Sequence, residues 1–284
     1  MIGTGHWGKR FISTIENHPD ITLHQCAGST DWKELILNPK LDGIIIATPP
    51  KTHAIILEEA VNRGLPTLVE KPLTLDLDEA LHLQELVEKK HVPVLVDHIH
   101  LFNPSYQSLK MEFIKNVVEN REKPIKILSQ GGNFGPFRPD YNALWDYGPH
   151  DLSMCLDLLK SYPHTINAKH INNKLFETGE HGEIFEISLE FAKNVSAKIT
   201  VGNMMDKKTR YFELQGKMQT YIYEDHAQLL SMKTEQPLYL VLNAFVDLIR
   251  GKSIEQQGLQ LGVDIIRILT RCKDVLQFRG KNEN

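Results

Sequence analysis

The sequence predicts an α/β protein built from a doubly wound parallel sheet followed by an α+β domain with a large, mostly antiparallel sheet. Apolar strand-like runs alternate with helical patterns as far as residue 97, and a glycine-rich turn precedes the first helical pattern. Beyond residue 98, strand-like runs follow one another at hairpin spacing. These observations predict two domains, 1–98 and 99–284.

The composition is that of an ordinary globular protein of one or two domains. The chain has 284 residues, of which 41% are hydrophobic and 24% are charged. A net charge of −4, with basic and acidic residues spread along the chain, gives no basic footprint for nucleic acid. No apolar run reaches the roughly 20 residues of a membrane span, and no signal peptide is visible. We therefore expect a cytoplasmic protein without membrane or nucleic-acid partners.

The three cysteines are widely spaced and lie in apolar segments, at Cys26, Cys155 and Cys272. An odd number at such spacing is typical of reduced core thiols in a cytosolic protein. The sequence predicts neither disulfides nor a metal site.

The first element is a G-x-G-x-x-G pattern, formed by Gly3, Gly5 and Gly8, that enters a helix predicted over 9–17. The first glycine permits a tight turn, the second a close approach of the backbone to pyrophosphate, and the third close helix–strand packing. The helix N-terminus adds unpaired amides and partial positive charge. The strand expected before this motif is reduced to two residues, so it is either truncated or starts ahead of the printed sequence.

A second strand is predicted over 21–27, and its end should carry an acidic residue for the adenosine ribose, about 20 positions after the glycines. Asp31 has a suitable spacing, but it is equally suited to cap a helix over 32–37. Ser29 is a further predicted cofactor contact. Because no arginine stands nearby to bind a 2′-phosphate, NAD is preferred and NADP remains possible. The stretch between Gly28 and residue 41 is short for a complete crossover.

The next strand, over 42–47, is fully apolar, as a parallel sheet buried on both faces requires. A turn with two prolines follows, and Thr52 can cap a helix over 54–62. A short strand over 65–69 then delivers Glu70, Lys71 and Pro72 to the edge of the sheet where ligands of such sheets bind.

The remaining elements complete the two predicted domains. Asp76 or Asp78 is expected to start a helix over 79–90, which a strand over 92–96 follows. The later pattern predicts helices over 104–118, up to 159, 237–250 and 258–278, and strands over 125–130, 165–172, 183–192, 195–202, 209–216 and 218–224.

Four motifs occur in a characteristic order: Gly3-x-Gly5-x-x-Gly8, Ala47-Thr48-Pro49-Pro50-x-x-His53, Glu70-Lys71-Pro72 and Asp146-x-x-x-His150. Together they resemble the Gfo/Idh/MocA (glucose–fructose oxidoreductase / inositol dehydrogenase) family over nearly the whole chain. The segment 142–151 resembles a branch of nucleotide-sugar dehydrogenases within it. The first domain would then be a Rossmann domain, and the second would bind substrate and mediate a homodimer or homotetramer.

The resemblance implies NAD(P)-dependent hydride transfer between nicotinamide and a secondary hydroxyl of a sugar, with a UDP-N-acetylhexosamine 3-dehydrogenase as the narrower expectation. Two alternatives remain open: a non-catalytic dinucleotide-binding regulator of the same fold, and an enzyme for a non-sugar alcohol such as inositol or a dihydrodiol. It also implies a cis Lys71–Pro72 bond. The residues predicted to contact the cofactor are Gly3, Gly5, His6, Trp7, Gly8, Ser29, Thr48, Pro49, Pro50, His53, Glu70, Lys71 and His98.

The predicted catalytic residues are Lys71, Asp146 and His150. If the helix begins near residue 148, His150 lies in its first turn, and a carboxylate bonded to one ring nitrogen would fix its tautomer. The alternative is a structural capping pair. Free histidine has a pKa of about 6.5 and free lysine about 10.4, so histidine is the better base near neutral pH. His150 is therefore the predicted base and Lys71 the electrostatic clamp on the alcohol oxygen.

Polar residues at the edge of the sheet and in the loop facing it are candidates for binding sugar hydroxyls. Each is equally suited to turn or cap chemistry, and Arg138, which could reach a diphosphate, is more simply a solvated arginine. The residues predicted to contact substrate are Lys71, Asn103, Tyr141, Asn142 and His150, with His98 as a weaker candidate.

Overall fold

The computed structural model describes residues 1–28, 30–224, 236–252 and 259–282, the last four of these by backbone alone. The chain forms two compact units, Met1–Phe102 with Leu230–Ile266 and Asn103–Leu229 with Arg267–Asn284. The helices are α1 His6–Ile15, α2 Trp32–Ile36, α3 His53–Asn62, α4 Leu77–Lys90, α5 Pro104–Asn120, α6 Ala143–Leu159, α7 Pro237–Ile249 and α8 Gln260–Asn282. The strands are β1 Ile44–Ile46, β2 Thr67–Glu70, β3 Val94–Asp97, β4 Pro124–Phe134, β5 Thr165–Leu175, β6 His181–Phe191, β7 Val195–Gly202, β8 Met204–Gly216 and β9 Thr220–Glu224.

The first unit contains a parallel sheet in the order β1-β2-β3. Every residue of these strands is buried, as the continuous apolar runs predicted for a sheet covered on both faces. Helix α7 belongs to this unit, where Phe245 and Ile249 lie against Gly43. The predicted division after residue 98 had assigned this helix to the second part of the chain.

The two residues ahead of the glycine motif extend this sheet beyond β1. Ile2 bridges Ala27 on one side and Ile46 on the other, both in parallel. Its amide donates to the carbonyl oxygen of Ile45 at 2.8 Å, and its carbonyl oxygen accepts from Ala47 at 2.8 Å. The strand predicted over 21–27 is wrong except at Ala27, where the backbone bonds to Met1 and Gly3.

The bridges extend the order to Ala27, Ile2, β1, β2, β3, so the segments follow the chain as 2-1-3-4-5. The direction of winding reverses between Ile2 and β1, which confirms the predicted doubly wound fold. In such sheets ligands bind at this switch point, outside the carboxyl ends of the strands. Here those ends lead into the glycine turn and the turn that begins at Thr48.

The second unit contains a six-stranded sheet in the order β5-β6-β7-β4-β8-β9. All neighbouring strands are antiparallel except β4 and β7, which confirms the predicted, mostly antiparallel sheet. Helix α6 packs on β4, β6 and β7, and helix α5 packs on β9. None of the helices in the described part of the chain combines the length and apolar run that a bilayer crossing requires.

Two predicted helix caps have different outcomes. Asp76 caps α4, because its Oδ1 accepts from the Glu79 amide at 3.1 Å. Thr52 caps no helix amide; its hydroxyl donates toward Thr48 and the carbonyl oxygen of Pro49 instead. The turn with two prolines thus forms a short 3-10 helix ahead of α3 and consumes the threonine hydroxyl.

Candidate functional site

The glycine turn has the geometry expected of a dinucleotide motif. Gly3 has φ +97°, and a Cβ atom there would overlap the carbonyl oxygen of Ala47. A Cβ on Gly8 would overlap the carbonyl oxygen of Gly3. A Cβ on Gly5, by contrast, would meet no protein atom within 4 Å. The protein's own packing thus requires the first and third glycines, while the second borders open space into which a ligand can come close to the backbone.

Helix α1 begins directly after Gly5 without a capping side chain and without an acidic residue in its first turn. Its first amides and the positive end of the helix dipole therefore suit an anion. His6 is exposed, and Trp7 is half-buried with the Arg10 guanidinium 4.9 Å from its ring centroid. These features fit the pyrophosphate of NAD at the switch point.

The predicted acidic residue for the ribose has a local structural contact. Asp31 precedes α2 but makes no side-chain capping bond to it. Instead its Oδ1 accepts from the Gly28 amide at 2.7 Å, which holds the turn after Ala27. Asp31 thus occupies the N-cap position of α2 without a capping hydrogen bond, and a ribose contact stays a prediction. Ser29 lies outside the described residues.

His53 joins the turns that follow β1 and β2. Its ring is fully buried, with Nε2 2.9 Å from the carbonyl oxygen of Thr48 and Nδ1 2.9 Å from that of Pro72. Burial lowers the pKa of His53, although both carbonyl oxygens oppose this shift. A neutral ring can donate to only one of them. In this arrangement His53 orders main chain at the switch point, and its predicted contact with a cofactor stays a prediction.

The turn after β2 holds the predicted clamp. The Lys71–Pro72 peptide bond is cis, as the resemblance implied. Glu70 and Lys71 are 5% and 9% exposed, so neither forms the solvated surface pair that a polar turn would give. Thr48 and Pro50 are also buried, whereas Pro49 is exposed.

Sequence reasoning missed a second carboxylate in this region. Asp97 ends β3 and pairs in register with Glu70 at the end of β2. It is 1% exposed, and the neighbouring His98 is 4% exposed. Among the described residues, Glu70 Oε1, both carboxylate oxygens of Asp97 and both ring nitrogens of His98 have no hydrogen-bond partner. The available signal was an acidic residue directly after a buried strand that neighbours the strand ending in Glu70.

The electrostatics of this cluster follow from burial. Burial, and then the Asp97 charge, raise the pKa of Glu70 well above its usual range, while Lys71 opposes the shift. Burial raises the pKa of Asp97 to about 7 against the same lysine. Burial, reinforced by Lys71, lowers the pKa of His98 to about 3. Near neutral pH the His98 ring is therefore neutral, and the two carboxyl groups retain a proton.

The second unit holds Asp146 and His150 on one helix. Helix α6 begins at Ala143, not near residue 148, so Asp146 lies in its first turn and His150 one turn later on the same face. The Asn142 side chain accepts from the Trp145 amide at 3.4 Å, and Glu183 accepts from the Ala143 amide at 3.3 Å. These acceptors start the helix earlier than its Gly-Pro sequence suggested.

Asp146 has a partner that the sequence did not predict. Its Oδ2 accepts from Arg138 Nε at 3.1 Å, with the two side chains 9% and 37% exposed. Although burial opposes it, the Asp146 charge raises the pKa of Arg138. Arg138 is exposed, as expected of a solvated arginine, but its guanidinium also pairs with Asp146. His150 is 9% exposed, and the predicted hydrogen bond that its ring would donate to Asp146 stays a prediction.

The weaker substrate candidates have capping roles. Asn103 accepts from the Ser105 amide at 2.9 Å at the start of α5, as Asn142 does at the start of α6. Tyr141, next to Asn142, is half-buried. The structure supports the capping alternative for both asparagines, and contacts with substrate stay predictions.

Comparison with known proteins agrees with this geometry. The family model described as "Oxidoreductase family, NAD-binding Rossmann fold" (GFO_IDH_MocA) matches residues 24–98. A crystal structure of a candidate oxidoreductase from Magnetospirillum magnetotacticum MS-1 is 30% identical, with a TM-score of 0.85, and the alignment covers 95% of this chain and 97% of that one. The chain belongs to the Gfo/Idh/MocA family. Its first unit carries the NAD-binding Rossmann fold of these oxidoreductases.

Two curated relatives within the Gfo/Idh/MocA family differ in their named substrates. UDP-N-acetylglucosamine 3-dehydrogenase from Acidithiobacillus ferrooxidans is 29% identical over 132 residues, 45% of this chain and 39% of that protein. Inositol 2-dehydrogenase from Corynebacterium glutamicum is 35% identical over 156 residues, 48% of this chain and 45% of that protein. Each match spans less than half of the relative's length.

Proposed function

We propose that this protein is an NAD(P)-dependent oxidoreductase that transfers a hydride between nicotinamide and a secondary hydroxyl of a sugar, with a sugar nucleotide as the preferred substrate class. The observation that carries the proposal is the position of Lys71. It follows β2 at the carboxyl edge of the sheet, next to the strand that borders the switch point, and it is almost fully buried there. A lysine that served only to solvate the surface would need neither this burial nor this position at the carboxyl edge of the sheet.

The residues that would hold the cofactor belong to the first unit. The backbone between Gly3 and Gly8 and the first turn of α1 would bind the pyrophosphate. The turn from Thr48 to Pro50, which His53 orders, would lie along the nicotinamide half. Bound NAD would supply the hydride acceptor.

Two residues would handle the proton and the charge that develops on the oxygen. His150 would accept the hydroxyl proton as the substrate carbon loses its hydride. The Lys71 ammonium would donate a hydrogen bond to the oxygen as it gains negative charge. Arg138 forms an ion pair with Asp146 in the first turn of α6. A negative charge at this end of a helix also interacts favourably with the helix dipole.

The substrate class rests on the relatives and on segment 142–151. One curated relative is named for a sugar nucleotide, and the segment has the pattern associated with that branch. The inositol relative is more similar in the region that it matches, so a cyclitol is the second candidate. We further propose that the protein is cytoplasmic and forms a homodimer or homotetramer. Light scattering of the purified protein tests the oligomeric state.

The test is a turnover assay with both cofactors against UDP-N-acetylhexosamines and inositols, followed by absorbance of reduced nicotinamide. We expect reduction of NAD with a sugar nucleotide. Turnover with inositols alone would reject the sugar nucleotide as the substrate class in favour of a cyclitol. Tight dinucleotide binding without turnover on any compound would favour the regulator and reject the enzyme.

Variants test the division of labour between Lys71 and His150. We expect kcat to fall about 100-fold to 10,000-fold in His150→Ala, because a positioned proton acceptor is lost. In Lys71→Ala we expect a fall of about 100-fold to 1,000-fold, the loss typical of one charge-stabilising donor. Exposed matched controls, His164→Ala and Lys89→Ala, should keep kcat within about 2-fold. Full activity in both site variants would contradict the assignment.

A further inference from the structure

We propose that Glu70 and Asp97 form an acid pair that holds a single proton and thereby presents one negative charge to the Lys71 ammonium, which makes both carboxyl groups positioning residues for Lys71. The inference rests on the proposed function only for the role of Lys71, and the existence of the pair can be tested without turnover.

The register of the sheet places the two carboxyl groups side by side. Glu70 and Asp97 are the last residues of adjacent parallel strands and are direct partners in the ladder. Paired residues on neighbouring strands point to the same face, about 5 Å apart along the hydrogen-bonding direction. Both residues are at least 95% buried. Two carboxylates at this spacing without water cannot both remain ionised, so one stays protonated.

The surrounding charges favour one proton rather than none or two. Among the described residues, the titratable groups that act on the pair or on its lysine include Lys71, His98 after β3 and His53 from α3. Both histidines are buried and their pKa values are lowered by that burial, so they are neutral near pH 7. A pair with one proton carries one negative charge, which cancels the one positive charge of the ammonium. With no proton the pair would be two buried carboxylates side by side, and with two protons it would present no negative charge to the ammonium.

The arrangement explains polar atoms that the proposed reaction does not use. One oxygen of Glu70 and both oxygens of Asp97 are buried without a hydrogen-bond partner among the described residues. Such atoms in a folded protein call for a specific explanation. A proton held between the carboxyl groups satisfies part of this set, and the remaining negative charge faces the lysine. The pair would therefore keep the ammonium charged and fixed at the edge of the sheet.

Infrared spectroscopy of the intact protein tests the proton count. At about pH 8 ordinary Asp and Glu side chains are ionised, so a protonated-carboxyl band comes from a buried acid. We expect wild type to show a band equal to one carboxyl, and E70Q and D97N each to lose it, since one remaining carboxylate carries the charge. Absence of the band in wild type, or its retention in the E70Q/D97N double variant, would overturn the proposal. Retention in D97N would assign the proton to Glu70 alone and also reject sharing.

The link to Lys71 has its own spectroscopic test. Lys71→Met removes the positive charge, so the pair should take up a second proton and the band should grow about 2-fold. The matched control Lys89→Met, in an exposed part of α4, should leave the band unchanged. An unchanged band in Lys71→Met would separate the pair from the lysine and refute the positioning role.

A third test measures kcat of the variants, and it applies if the wild-type protein turns over a substrate. We expect kcat to fall about 3-fold in each single amide variant and about 100-fold in E70Q/D97N, because the lysine then lacks its counter-charge and shifts from its working position. The D78N/E79Q double variant on α4 controls for loss of two acids. Equal losses in the single and double variants would contradict the shared charge. If wild type itself never turns over, the proposed function fails while the infrared result still decides the pair.

Discussion

Buried aspartates occur in both units of this protein, and their surroundings differ. At the ends of β2 and β3, Asp97 faces a second carboxyl group, and its oxygens have no hydrogen-bond partner in the described part of the chain. In the second unit, the carboxylate of Asp157 accepts from the Tyr106 hydroxyl at 2.6 Å and from Lys110 at 2.9 Å. Burial raises the pKa of Asp97 to about 7. The pKa of Asp157 is lowered despite burial, because these donors and Lys160 stabilise its charge.

A second aspartate in the same unit follows the satisfied pattern. Asp151 is fully buried between α6 and the sheet. Its Oδ2 accepts from Arg210 at 2.5 Å, and its Oδ1 accepts from the Ser129 hydroxyl at 2.5 Å. A buried charge with a complete set of partners fixes a helix on its sheet. A buried acid without partners at the edge of a ligand-binding sheet indicates chemistry instead.

The largest effect that this comparison predicts comes from removing the cation beside Asp151. Arg210→Met removes the cation and leaves the buried carboxylate with the Ser129 hydroxyl as its partner among the described residues, which should cost about 3–5 kcal/mol of unfolding free energy. Urea denaturation measures it. The control is Arg250→Met, which breaks an exposed ion pair with Asp20, with side chains 50% and 45% exposed, and should leave the unfolding free energy nearly unchanged. Equal losses in the two variants would show that the buried pair is not special.

A smaller effect is expected at Asp157. Lys110→Met removes one of three donors and leaves the Tyr106 hydroxyl and Lys160 in place. Losing one charge-assisted hydrogen bond should cost about 1.5–3 kcal/mol in the same urea experiment. Lys115→Met, an exposed lysine on the same helix, is the matched control. If Lys110→Met lost no more unfolding free energy than the control, the hydrogen bond from Lys110 to Asp157 would contribute no more to stability than an exposed ion pair.

The third prediction concerns Asp97→Asn. Its effect on the unfolding free energy at any single pH is expected to be the smallest of the three, but the pH dependence of that effect is the most diagnostic. Because the folded-state pKa of Asp97 is raised from 3.8 to about 7, this carboxyl contributes stability at acid pH that is lost as pH rises between those values. The variant lacks that loss, so its unfolding free energy relative to wild type should improve from pH 4 to pH 7, by about 1 kcal/mol or more. His98 titrates in the opposite sense in both proteins and largely cancels in the difference.

The result that would contradict this prediction is a relative stability of Asp97→Asn that is constant or declines across the window. Asp157→Asn provides the opposite case. The pKa of Asp157 is lowered, so its contribution is present above 3.8 and is lost as pH falls. Its penalty should therefore shrink at acid pH. Denaturation curves of both variants at several pH values measure the two signs together.

The sequence predicted most of the fold because the signals for it are local. Apolar runs gave β1 and β3 within two or three residues, and alternation gave β6 and β7. The wrong predictions concern elements whose bounds depend on residues far away in the chain. Residues 21–26 do not form a strand, since pairing in this segment is confined to Ala27, and α6 starts at Ala143 because Asn142 and Glu183 supply acceptors.

By itself the sequence determined the doubly wound fold class, the glycine turn and the identity of the motif residues, because periodicity and glycine placement are properties of neighbouring residues. Only the tertiary structure decided which buried acids are satisfied. Glu70 meets Asp97 through the register of two strands, and Asp151 meets Arg210 through the packing of α6 on the sheet. Burial and the partners that accompany it set the charge of a carboxyl group, and both depend on residues far away in the chain.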